Sequence, residues 1–97
     1  MKLNNNQKKF LKGLGHKLDA VVMIGKDGIN FNIIDNLNMA LKAHELVKVS
    51  MLKSSPLSVN EAAIELATES KSEVVSMVGR VIVLYKQSEK KLITLPK

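Results

Sequence analysis

A glycine-bracketed turn, Gly25-Lys26-Asp27-Gly28, follows the apolar run Val21-Val22-Met23-Ile24 and is the part of this chain best suited to meet a ligand. Glycine at both ends removes Cβ atoms and permits φ > 0, so backbone can approach a phosphate and the intervening N–H groups can turn toward one anion. Lys26 adds a positive charge at the same spot. Asn30 is placed to cap a helix that starts just afterwards, and the partial positive charge of that helix end would point the same way. Taken alone, the four residues also fit an ordinary tight turn.

Other chemistry lacks its parts. The chain has two histidines and no cysteine, so disulfides and thiolate metal sites are excluded. His44-Glu45 begins like the zinc-protease pattern H-E-x-x-H, but Lys48 stands where the second histidine must be. Gly25-Lys26 runs into Asp27 rather than Ser or Thr, so it is not a nucleotide-hydrolysing P-loop. No catalytic residue, metal site, cofactor or small-molecule substrate is expected. His44 suits a helix C-terminus, near the last carbonyls. Of the three aromatics, Phe10 and Phe31 fall on apolar helix faces and are assigned to the core, leaving Tyr85 for the surface. That composition lacks the stacking platform of single-strand-binding folds.

The 97 residues are 45% hydrophobic and 25% charged, which suits one small domain spanning 1–97 with a single core. A formal charge of +6 and a pI near 9.7 point to an anionic partner. The polar start Met1-Lys2-Leu3-Asn4-Asn5-Asn6 lacks the apolar stretch of a signal peptide, and runs such as Val81 to Tyr85 are too short to span a bilayer, so a cytoplasmic protein is expected. The charge is unevenly spread: residues 1–57 carry nine basic and four acidic groups, 58–76 one and four, and 77–97 five and one. A polyanion should therefore avoid the third segment of helical pattern, where Glu61, Glu65 and Glu69 recur.

The elements that must position the turn follow from periodicity. Phe10, Leu11, Leu14 and Leu18 have helical spacing over Asn6 to Leu18; at about 100° per residue, Lys8, Lys9, Lys12 and His16 fall on a separate, basic arc. Ala20 to Ile24 is uninterrupted apolar sequence, as expected of a strand covered on both faces. Phe31, Ile34, Leu37, Ala40 and Leu41 predict a helix over Asn30 to Ala43. Leu46 to Met51 alternates with polar residues, which predicts a half-exposed strand nearer an edge. Ser58-Val59-Asn60-Glu61 has the S-x-x-E form of a capping box opening a third helix. Strands Glu73 to Val78 and Arg80 to Lys86 follow, with Gly79 as a turn or bulge, and Leu92 to Leu95 could extend them. The order αβαβαββ predicts an α/β fold, a four-stranded mixed sheet packed with helices.

Four blocks in order, Lys9 to Leu18, Val21 to Ile29, His44 to Val49 and Val78 to Lys86, together resemble the CRM domain family, specifically its stand-alone bacterial YhbY-type members. The likeness covers nearly the whole chain. It implies an RNA-binding domain similar in fold to the C-terminal domain of bacterial translation initiation factor three, with the GxxG loop carried by Gly25 and Gly28. It also implies a protein that works on large-subunit ribosomal RNA or a pre-ribosomal particle in ribosome assembly, as bacterial members are associated with precursor large subunits; a monomer is expected. Where family members often have Lys-Pro before the first strand this chain has Asp19-Ala20, and Ser70-Lys71 stands for Thr-Gly. Asp27 puts a negative charge in the turn and is expected to point away from RNA, helping to hold the turn. The candidate contacts are Lys8, Lys9, Lys12 and His16, the turn residues Gly25, Lys26 and Gly28, and Arg80 and Lys86. The alternatives are a DNA-coating protein of similar fold, or a protein-interaction module that docks on ribosomal proteins.

Overall fold

Three helices begin at side chains that cap them. In the computed structural model, which describes residues 2–97, the Asn4 side chain accepts from the Gln7 amide at 2.8 Å and the Gln7 side chain accepts from the Asn4 amide at 3.0 Å, opening α1 (Asn5–Gly15). Asn30 accepts from the Ile33 amide at 3.0 Å and opens α2 (Phe31–His44). Ser58 and Glu61 form the reciprocal pair that the S-x-x-E pattern predicts, opening α3 (Val59–Ser70). Between and after them run β1 (Val22–Ile24), β2 (Leu46–Met51), β3 (Glu73–Val78) and β4 (Val81–Tyr85), so the order is αβαβαββ.

The strands form one mixed sheet in the order β1-β2-β4-β3. β1 and β2 are parallel, with Ile24 opposite Met51, and α2 makes the crossover. β4 folds back from β3 through the two-residue turn Gly79-Arg80, where Gly79 has φ 59°, and inserts antiparallel between β2 and β3. Gly79 is thus a turn, and the bulge lies instead between Val74 and Ser76.

Each sheet face has its own core. Under α2 and α3, Val22, Ile24, Val47, Val49, Ile82 and Leu84 of the sheet meet Leu37, Leu41, Ala62, Ala63 and Leu66. Under α1, Leu46, Val75, Val83 and Tyr85 meet Leu3 and Leu11. Each Val, Leu or Ile among them contributes roughly 1.5–3 kcal/mol when fully buried. Gly15 lets α1 sit close, because a Cβ there would lie 3.2 Å from a Val83 methyl.

Two expectations about the strands are reversed. The all-apolar β1 is an edge strand, with Val21 and Met23 61% and 57% exposed, and the alternating β2 is interior, flanked by β1 and β4. Alternation reports how well each face is covered, not position in the sheet. Lys48 and Ser50 point to the α1 face, which α1 covers only in part, and Lys48 Nζ donates to the Leu18 carbonyl at 3.1 Å.

The segment after β4 forms no strand, yet it is anchored. Glu45, wholly buried, ends α2 at φ 66°, and its carboxylate accepts from the amides of Ser88 and Ile93, each at 2.8 Å, and from the Ser88 hydroxyl. Desolvation pushes its carboxyl upward, but these hydrogen bonds and one from the Leu92 amide outweigh it and leave the pKa lowered. Ile93 and Leu95 then pack on the α1 core, and the Gln7 side chain donates to the Pro96 carbonyl at 3.1 Å.

Candidate nucleic-acid interface

The Gly28 amide donates to the Gly25 carbonyl at 3.0 Å and closes the turn that carries Lys26 and Asp27 at its centre. Gly28 has φ 70° and is buried with its Cα toward Pro56, where a Cβ would be 3.5 Å from the proline ring. Left-handed freedom is therefore required at Gly28. Gly25 shows no positive φ, so the expectation of it at both glycines holds for one, and a Cβ at Gly25 would make an ordinary 3.5 Å contact with Leu52. With the Gly28 amide committed, the turn amides that donate to no backbone carbonyl are those of Lys26 and Asp27, both exposed residues. The bond that closes the turn is backbone to backbone, not one from the Asp27 side chain.

α2 starts three residues later. Its cap satisfies the Ile33 amide, and the Ile34 amide donates to the Asn30 carbonyl at 3.1 Å. The amides of Phe31 and Asn32 have no partner within the helix, and no acidic residue lies in the first turn. This is an open, partly positive helix end beside Lys26.

Parallel pairing brings the β2–α3 connection alongside. The Leu52 amide donates to the Ile24 carbonyl at 2.8 Å, the Leu52 side chain lies where a Cβ on Gly25 would meet it at 3.5 Å, and the Met51 amide donates to the Arg80 carbonyl at 2.8 Å. Exposed Lys26, Lys53 and Arg80 therefore share one end of the sheet. Lys53 was legible only through the pairing: once β1 and β2 are parallel, the residues after each must be neighbours.

The other candidates separate from this end. Lys8, Lys9, Lys12 and His16 are exposed on α1, across the sheet from α2 and α3. Lys86 lies at the far end, because Tyr85 pairs with Leu46 at the start of β2 and the Lys86 amide donates to the Glu45 carbonyl at 2.9 Å. There it lines a groove of about 690 Å³ with Lys42, Lys71 and Lys90. Thus Gly25, Lys26, Gly28 and Arg80 come together, and Lys86 does not join them.

The aromatic assignments invert. Tyr85 is fully buried on the interior strand β4, and desolvation together with the nearby Glu45 charge raises its pKa. Phe10 is 40% exposed and Phe31 81%. Phe31 is the first residue of α2, beyond the part of the helix that lies over the sheet; its helical spacing with Ile34 could not show that. Among the described residues no cluster of His, Cys, Asp or Glu could hold a metal, and no helix is long and apolar enough to cross a membrane.

Residues 3–86 match the CRS1/YhbY (CRM) domain. The Bacillus subtilis "Probable RNA-binding protein YqeI" is 42% identical over 95 residues, covering 97% of this chain and 99% of that one. An "RNA-binding protein" of Haemophilus influenzae is 36% identical, covering 98% and 96%. The solution structure of hypothetical protein SAV1595 from Staphylococcus aureus superposes with a TM-score of 0.83 at 38% identity, covering 98% of this chain and all of that one. The chain belongs to the CRS1/YhbY (CRM) domain family.

Proposed function

We propose that this CRM-family chain is an RNA-binding protein that acts in ribosome assembly without catalysis, on large-subunit ribosomal RNA in precursor particles. The observation that carries the reading is the open start of α2 beside the Gly25–Gly28 turn. The amides of Lys26, Asp27, Phe31 and Asn32 lie at the same end of the sheet as exposed Lys26, Lys53 and Arg80. Backbone amides and cations converging on one place suit a phosphate group and carry no sequence information. Lys8, Lys9, Lys12 and His16 add charge on the α1 side, and Lys86 at the far end adds a remote contact. The names of the Bacillus and Haemophilus relatives favour RNA over other polyanions.

Sedimentation of cell extract tests this. In low-salt buffer the protein is expected with the large subunit or its precursor, and nuclease treatment should release it. Protein only at the top of a gradient with intact ribosomes would contradict the reading, and retention after nuclease would favour docking on ribosomal proteins. If roughly five phosphates are neutralised, affinity for ribosomal RNA should fall about a hundredfold or more between 50 and 200 mM salt.

A further inference from the structure

Phe31 is the most exposed large apolar side chain among the described residues, at 81%. Leaving such a ring in water forgoes the favourable free energy of its burial. Its position is specific: it directly follows the cap Asn30, and its own amide is one of the two left free at the start of α2. Helical Cα–Cβ bonds tilt toward the N-terminus, so the side chain at the first position leans to the end of the helix that the turn precedes. Leu52, whose side chain would be 3.5 Å from a Cβ placed on Gly25 and which is 44% exposed, adds apolar surface near the same turn.

The ring's surroundings select its partner. Exposed Lys26, Lys53 and Arg80 outnumber exposed Asp27 and leave this end net cationic, so an apolar protein segment would have to desolvate charges to cover the ring, whereas a polyanion would neutralise the excess. A nucleic acid carries both groups the site offers to meet, a phosphate and a flat π-face one sugar away. In a continuous duplex that face is hidden in the stack; in a loop or bulge it is available. We propose that Phe31 stacks on an unpaired base adjoining a phosphate held at the turn, so the interface takes RNA presenting a loop or bulge in preference to unbroken duplex. This rests on the RNA-binding reading above.

The test uses the full chain with two probes of equal length, a hairpin whose loop contains 2-aminopurine and a fully paired duplex. The wild type should bind the hairpin roughly tenfold more tightly than the duplex, with a fluorescence change as the base stacks. Phe31→Ala, at an exposed position, should fold normally, lose about five- to a hundredfold in hairpin affinity and the fluorescence change, and keep its duplex affinity and salt slope. Phe31→Trp should restore hairpin binding. If the wild type binds both probes and Phe31→Ala binds them unchanged, the stacking contact is overturned while RNA binding stands. Equal losses on both probes would overturn it too. A wild type that binds neither probe overturns both readings.

Discussion

α2 and α3 begin at the same end of the sheet, each after one of the parallel strands, and each is capped by a side chain that accepts from the third helical amide. They differ at that third residue. In α3 it is Glu61, whose carboxylate reaches back to the Ser58 amide at 3.1 Å, so the helix end already holds its own negative charge. In α2 it is Ile33, packed against the core, and the helix end stays open. Capacity for an external anion thus depends on one side chain, and the helix with the internal carboxylate also bears Glu65 and Glu69. On the proposed reading, the Glu61 carboxylate disfavours a polyanion at α3 as much as the open end favours one at α2.

The largest expected effect follows from removing the charges at that end of the sheet. Lys26→Ala, Lys53→Ala and Arg80→Ala combined should weaken binding to ribosomal RNA about a hundredfold at low salt. Each lost contact should also make the log–log salt slope shallower by roughly 0.7–0.9. Unchanged affinity would show that the two helix ends do not differ for RNA.

Next comes the turn that carries the open end. Gly28→Val forces a β-branched residue to φ 70° and crowds Pro56, costing roughly 1–3 kcal/mol of stability in urea unfolding. Gly25→Ala should unfold like the wild type, because its added Cβ meets only ordinary contact. Equal destabilisation of the two would contradict the assignment of left-handed backbone to Gly28 alone.

The smaller effects concern the caps. Asn30→Ala and Ser58→Ala should each cost about 1 kcal/mol, but only Asn30→Ala should also weaken RNA binding. Acid separates them further. Hydrogen bonds from the Ser58 amide and hydroxyl hold the Glu61 carboxyl below its ordinary 4.5. A carboxylate with a depressed pKa contributes stability above the unfolded value that is lost as pH falls through the folded one. Thermal unfolding should therefore show stability declining below pH 4.5, a decline made shallower by Ser58→Ala and left unchanged by Asn30→Ala.

Much of this end of the molecule was legible in the chain itself. The S-x-x-E box placed the start of α3, and glycine spacing with Asn30 placed the turn and the start of α2. What was not legible depends on long-range pairing. Alternation in Leu46 to Met51 cannot reveal that β4 inserts beside it and makes β2 interior, and the apolar run Ala20 to Ile24 cannot reveal that β1 lies at the edge. The same insertion buries Tyr85 on β4, whereas for Phe31 local periodicity gives an apolar face but not which turn of the helix meets the core. Glu45, conspicuous only as half of a failed zinc pattern, carries its role through Ser88 and Ile93, more than forty positions away.

One pair of variants tests the central claim most directly. Asn32 and Asn60 are both exposed and both stand second in their helices, so Asn32→Asp and Asn60→Asp make the same chemical change, with the same loss of net charge, at the two ends compared. Both carboxylates complement a helix N-terminus and should leave stability equal or raised by roughly 0.3–1 kcal/mol. Measured at matched salt, Asn32→Asp should weaken binding to ribosomal RNA about tenfold by occupying the place of the phosphate, and Asn60→Asp less than about twofold. Equal effects of the two substitutions would contradict the claim that the open start of α2 is where RNA is held.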